Sequence, residues 1–193
     1  MKETSAFDLL VDYPRKHGLE FDTHDDYRRF FMFPSDSFID TKFVIFKSGS
    51  FYFYAHDSYT AKLTNLKTFT GLYTVAASNL PELMVHRKDL ANRLMRTHKR
   101  KTGISHMDEN LVITSDTKDL LFMLSPRAVS QFLELAEKFS PLHLVIQDNY
   151  INNIIGLKDK KVIGLETGQW LYKEEDVELF LKLGKEIIES AGL

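Results

Sequence analysis

The sequence predicts an α+β fold: an antiparallel, curved sheet, in one or two lobes, packed by two to four helices. Three observations lead there. Residues 27–77 hold four runs of aromatic and β-branched residues separated by polar turns, the pattern of an antiparallel meander. Residues 126–139 and 174–191 place apolar side chains at helical spacing. The helices also stand between runs of strands instead of alternating strictly with them, which is the element order of α+β proteins.

Residues 5–16 read as a helix capped by Thr4 or Ser5, with Phe7, Leu10 and Val11 on one stripe; Pro14 predicts an end or kink near Tyr13. Strands follow at 27–33, 41–47, 50–56 and 66–77, and the polar residues 23–26 before them read as a loop. Ser48-Gly49-Ser50 marks a hairpin, because Gly49 adopts positive φ at little cost. A period of two sets Phe51 and Phe53 against Tyr52 and Tyr54, so both faces of the sheet are covered, one by helices and the other by loops or a partner.

Asn79 as a cap and Pro81 in the first turn predict a helix reaching Thr97, with Met84, Leu90 and Leu94 as its apolar stripe. Residues 110–115 and 120–124 read as strands, the second leading into the Ser125-Pro126 helix start. Val129, Phe132, Leu133, Ala136 and Phe139 form the stripe of that helix, which Ser140-Pro141 ends. Residues 142–147 predict a strand, Asp148-Asn149 a turn, 150–157 its hairpin partner and 162–165 a last short strand. The closing helix, 174–191, keeps Val177, Phe180, Leu181, Gly184, Ile187, Ile188 and Ala191 on one side, and Glu174, Glu175 and Asp176 suit its N-terminal dipole. All this fits one domain over residues 1–193, with 102–109 as the one place suited to a boundary between lobes.

Composition narrows the function classes. With 44% hydrophobic and 27% charged residues the chain is ordinary for a globular protein. No apolar run approaches the roughly 20 residues of a spanning helix, and the N-terminus lacks the pattern of a secretory leader. Cysteine is absent, which excludes disulfides, thiolate nucleophiles and cysteine-ligated zinc; the cytoplasm is the expected location. The nine glycines form neither a Walker-type nor a dinucleotide-type loop, and no serine-elbow or Ser-x-x-Lys pattern occurs. No cofactor or metal is therefore expected, and the missing motifs weigh toward a non-enzymatic role.

Net charge is −2, but it is unevenly spread. Residues 86–101 carry seven Lys and Arg against the single acid Asp89, on a body that is otherwise acidic. Arg93, Arg96, Lys99, Arg100 and Lys101 are the candidate contact residues, at the C-terminus of the expected helix. No aromatic residue that could stack on a base interleaves with them, so a protein partner or an anionic lipid surface fits better than nucleic acid. The bland alternative is a solvated helix end that complements its own dipole. The runner-up function is a metal-assisted hydrolase built from His24, Asp25 and Asp26 with His106 and Asp108, against which stands the reading of both clusters as polar loops. His56-Asp57 reads as a strand end with a turn-forming Asp. A third possibility is a ligand cavity lined by Tyr52, Tyr54 and Tyr73. Trp170 fits an aromatic staple before the last helix, or an exposed contact.

Leu80-Pro81 with the helix expected after it, residues 111–116, Leu124-Ser125-Pro126 and the closing amphipathic helix together resemble uncharacterised bacterial domains of unknown function. In those domains a soluble α+β region often sits beside membrane helices. The resemblance covers residues 69–193, rests on apolar patterns, and implies no catalytic residues. This chain departs from it in having no membrane segment. The expectation is an interaction or regulatory domain whose contact surface is the basic segment 87–101.

Overall fold

Long strands with two apolar faces cannot rest on one layer, and the chain resolves this by covering its sheet from both sides. The computed structural model describes residues 5–30, 37–60, 65–88, 99–117 and 122–191. A helix, α1 (Ala6–Lys16), leads into four strands: β1 (Phe21–Phe30), β2 (Ser37–Ser48), β3 (Phe51–Thr60) and β4 (Asn65–Val75). Then come β5 (Leu83–Arg87), β6 (Lys99–Arg100), a short helix α2 (Ser105–Asp108) and β7 (Leu111–Thr114). The last elements are α3 (Pro126–Lys138), β8 (Leu142–Asp148), β9 (Lys161–Thr167) and α4 (Glu174–Ala191). One nine-stranded sheet runs through the described residues in the order β1-β2-β3-β4-β9-β8-β5-β7-β6. Every pair in it is antiparallel.

The period of two decides the sides. Val44, Phe46, Phe53, Ala55, Leu72, Leu144, Ile163 and Leu165 form the main core with the inner faces of α1, α3 and α4. Burying each large apolar side chain contributes about 2 kcal/mol, several times a surface ion pair, so apolar pattern and not charge sets which face meets the helices. Gly184 lets α4 approach closely: a Cβ there would lie 2.9 Å from Leu72 and 3.3 Å from Leu165. Phe180 then meets Phe53 and Phe139 edge-on, at 6.4 and 5.9 Å between ring centres. Ser125 caps α3 by accepting the Ala128 N–H at 3.2 Å. Arg127 and Gln131 tie α3 to Glu186 of α4.

The second face carries Ile45, Tyr54, Tyr73 and Val162, and Ile151, Ile154 and Leu157 lie over them. Those three belong to the 149–160 connection between β8 and β9, which folds back over the sheet. Asn149 starts it by accepting the Ile151 N–H at 3.0 Å through its own side chain, and its backbone N–H reaches Lys160 O at 2.9 Å.

Several expectations need correction. Residues 83–87 are a strand and not part of a helix, because Leu83 and Val85 enter the main core while Met84 and His86 take the other face. Residues 99–100, expected at a helix C-terminus, form β6 against β7; 89–98 lie outside the described residues. Residues 150–157 are the covering loop, and the true hairpin partner of β8 is β9. The polar residues 23–26 lie within β1 and not in a loop. Pro14 is accommodated inside α1, where it is buried and the helix continues to Lys16. Of the expected strand 120–124, residues 122–124 are irregular and the remainder lies outside the described residues. Residues 102–109 mark no boundary in the sheet; they hold α2, whose Met107 is fully buried in the main core.

Candidate interaction surface

β5 ends at Arg87 and β6 begins at Lys99, so these two ends of the basic segment flank β7. The Lys88 N–H donates to Asn110 O at 2.8 Å, and its ammonium donates to Asp108 O at 3.0 Å. Arg87, Lys88 and Lys101 are exposed. Arg100 is committed elsewhere: its guanidinium donates to Ser115 O at 3.0 Å and to Asp116 O at 3.4 Å, tying β6 to the end of β7. Lys99 occupies the β6 position opposite Thr114. Arg93 and Arg96 lie outside the described residues.

Beside this edge opens a cleft of about 430 Å³. Arg87, Lys88, Glu109 and Asn110 line one wall, and Ser130, Leu133, Glu134 and Glu137 the other. The second set recurs at i, i+3, i+4, i+7, the outward stripe of α3. Three carboxylates thus face the same space as two cations. Asn110 is anchored by donating from Nδ2 to His106 O at 2.9 Å.

The two histidine clusters do not meet. His24 lies on β1, stacked on Phe43 at 5.1 Å, and Asp25 pairs with Lys42 at 3.6 Å. His106 lies on α2, which packs on β7, seven places along the sheet, roughly 30 Å at strand spacing. Its Nε2 is 2.9 Å from Leu124 O. Asp108 accepts from the Thr102 N–H and hydroxyl, each at 2.9 Å, and from the Gly103 N–H at 3.0 Å. Burial opposes ionisation of Asp108, but these bonds, with the charge of Lys101, hold its carboxyl below the usual range. Asp108 therefore serves the loop that contains it, and His106 joins α2 to the residue before the α3 cap. His17, Glu174 and Glu178 do gather at one point, exposed. There the Lys16 ammonium also pairs with Glu174. Sequence reasoning had no signal for this group: Glu174 and Glu178 are one helical turn apart on α4, but His17 is distant in the chain.

No family model, curated protein or solved structure matches this chain. Its chemistry has to be read from its own side chains.

Tyr52 and Tyr54 share the second face, as the period of two predicts, and Tyr73 joins them from β4, but the 149–160 loop packs directly on them. Tyr52 Oη fills the space where Gly156 would carry a Cβ, 2.1 Å away. Tyr73 is fully buried and donates to Glu166 Oε1 at 3.1 Å; Tyr150 donates to the same oxygen at 3.0 Å. Burial first, and then the Glu166 charge, push both phenols well above their ordinary pKa. They stay protonated donors, which suits a tether between loop and sheet. Tyr54 Oη and His56 Nδ1 lie 3.0 Å apart beside them, and Asp57, within β3, accepts from the Thr68 hydroxyl. Trp170 stacks on Phe7 of α1 at 6.5 Å, joining the N-terminal helix to the stretch before α4.

Proposed function

We propose that this chain is a non-enzymatic interaction domain that engages a protein partner through the charged cleft beside Arg87 and Lys88. The observation that carries this is the mixed sign of the lining, Arg87 and Lys88 with Glu109 beside them and Glu134 and Glu137 across from them. A phosphate-rich surface, whether lipid or nucleic acid, would meet three repelling carboxylates there, whereas a peptide with both charges finds a complement for each. Support also comes from the fate of the chemical groups elsewhere, since Asp108, His106, Asp57 and Glu166 each make the internal bonds described above. The resemblance of residues 69–193 to domains of unknown function brings no catalytic residue and sits with this reading, as does a cytoplasmic location for a cysteine-free chain. No helix among the described residues is long and apolar enough to cross a membrane.

The test compares the wild type with two charge reversals, Arg87→Glu/Lys88→Glu and Glu134→Lys/Glu137→Lys. Cross-linking and mass spectrometry identify the partner, and each reversal abolishes its capture while thermal stability is kept. The signs separate the alternatives. Binding to phosphatidylserine vesicles or to a single-stranded oligonucleotide that is strengthened by Glu134→Lys/Glu137→Lys would replace the protein partner with a phosphate surface.

A further inference from the structure

We infer that β1 is a self-association edge, on which a second copy of this chain adds its own β1 in antiparallel register centred on Tyr27. β1 is the first strand of the sheet and, among the described residues, pairs with β2 alone. It is ten residues long, whereas β6 at the opposite edge has two. A long edge of unpaired backbone groups is a template for another strand unless something blocks it.

The ladder fixes which backbone groups are on offer. Lys47 N–H donates to Glu20 O at 3.0 Å, and the β1–β2 register continues without interruption from Phe21 opposite Phe46 to Phe30 opposite Ser37. Hydrogen-bonded and non-bonded pairs alternate along an antiparallel ladder. The even-numbered residues of β1 therefore turn their N–H and C=O toward β2. Phe21, Thr23, Asp25, Tyr27 and Arg29 turn theirs outward; of these the Thr23 N–H donates to Asp22 Oδ1 at 2.8 Å, so the groups on offer centre on 25–29. A second β1 must bond through the same odd-numbered residues, so the numbers of any two facing residues sum to an even value.

Charge then selects among those registers. Residues 25–29 read Asp-Asp-Tyr-Arg-Arg, with the sign reversing at Tyr27. Like charges directly opposite each other are destabilising. A two-fold axis at Asp25, Asp26, Arg28 or Arg29 sets that residue against its own copy. An axis at His24 sets Asp22 against Asp26. With the axis at Tyr27, Asp25 faces Arg29 of the second copy and Asp26 faces Arg28, and both pairs repeat by symmetry. Tyr27 faces Tyr27 as a hydrogen-bonded pair, as the outward direction of its backbone requires. Charge of one sign would protect this edge from pairing; this sequence is complementary to itself only when antiparallel. The Asp25 side chain pairs with Lys42 within the chain and is still 52% exposed. The edge lies six strands from β5, whose end lines the charged cleft, so the two surfaces are independent.

Sedimentation equilibrium of the purified chain tests this, at low and high salt. The wild type forms a dimer at micromolar concentration that weakens as salt screens the pairs. Arg28→Asp/Arg29→Asp and Asp25→Arg/Asp26→Arg each turn four attractive cross-strand pairs repulsive and raise the dissociation constant about a hundredfold or more. Mixing these two variants restores a one-to-one heterodimer, and the chain carrying all four substitutions dimerises again. Tyr27→Pro removes an outward N–H that β2 does not use, and abolishes the dimer while far-UV circular dichroism is kept. A wild type that stays monomeric at about 100 µM overturns the inference. So do charge variants that self-associate like the wild type, or a mixture that stays monomeric.

Discussion

Replacing Gly164 with alanine isolates the contact that joins the second face of the sheet to its cover. The Tyr73 ring lies flat across Gly71 on its own strand and Gly164 on the neighbouring one. A Cβ at 164 would stand 2.3 Å from Tyr73 Cδ1, 2.8 Å from its Cε1 and 2.9 Å from Leu72 O. The ring is fully buried under the 149–160 loop and cannot swing into solvent. Relief requires a shift of the ring that also strains its bonds to Glu166 and Tyr150, so Gly164→Ala costs about 2–4 kcal/mol. In a protein of this size that lowers the melting temperature by roughly 4–16 °C. Tyr73→Ala alone costs about 3–5 kcal/mol through the cavity it leaves.

The decisive measurement is the double-mutant cycle by urea unfolding. With Tyr73 truncated the ring contacts are gone and only the 2.9 Å approach to Leu72 O remains, so the double variant is more stable than the sum of the two losses by about 1 kcal/mol or more. In a Tyr73→Phe background the full cost of Gly164→Ala persists, because the clash is with ring carbons and not with the hydroxyl. Additivity within about 0.5 kcal/mol in the alanine cycle would refute the packing argument.

Two further outcomes follow from the hydrogen-bonding groups. Asp108→Ala leaves the 102–103 backbone N–H groups without their acceptor and costs about 1–2 kcal/mol at neutral pH. Because the folded carboxyl lies below its ordinary value, its stabilisation is complete above the unfolded pKa and vanishes as pH falls through the folded one. The variant's deficit, followed by urea unfolding against pH, should therefore disappear in strong acid. His143 behaves differently: burial, and then the neighbouring His86, lower its pKa from 6.5. The unfolded chain takes up that proton first, so stability is full above about pH 6.5 and declines below it. His143→Gln removes this slope; an unchanged profile would assign the loss of stability to other groups.

Parts of the chain that interact mainly with near neighbours in sequence were legible without the structure. Ser125-Pro126 starts α3 because a hydroxyl cap followed by proline satisfies a helix N-terminus locally, and Gly49 turns the β2–β3 hairpin for an equally local reason. The stripe of α4 keeps its period for five turns. The candidate surface was legible only in part. The cations of 87–101 stand out in the sequence, but that Arg100 is tied to Ser115 and Asp116 and that α3 brings Glu134 and Glu137 beside Arg87 depends on which elements pack together.

The sequence by itself determined the α+β class, the meander, the two large helices and the sidedness of β3, because caps, turns and periodicity act over a few residues. Tertiary structure alone decided that 83–87 is a strand and 150–157 a cover. Leu83 to Arg87 has only five residues, too few for periodicity to outweigh a plausible helix start at Asn79. Its conformation is set by β7 and β8 bonding to it from both sides, and β8 is distant in the chain. Residues 150–157 likewise have strand-like composition, yet Ile151, Ile154 and Leu157 gain more by closing over Tyr73 than by pairing with β8, whose free edge β9 already occupies.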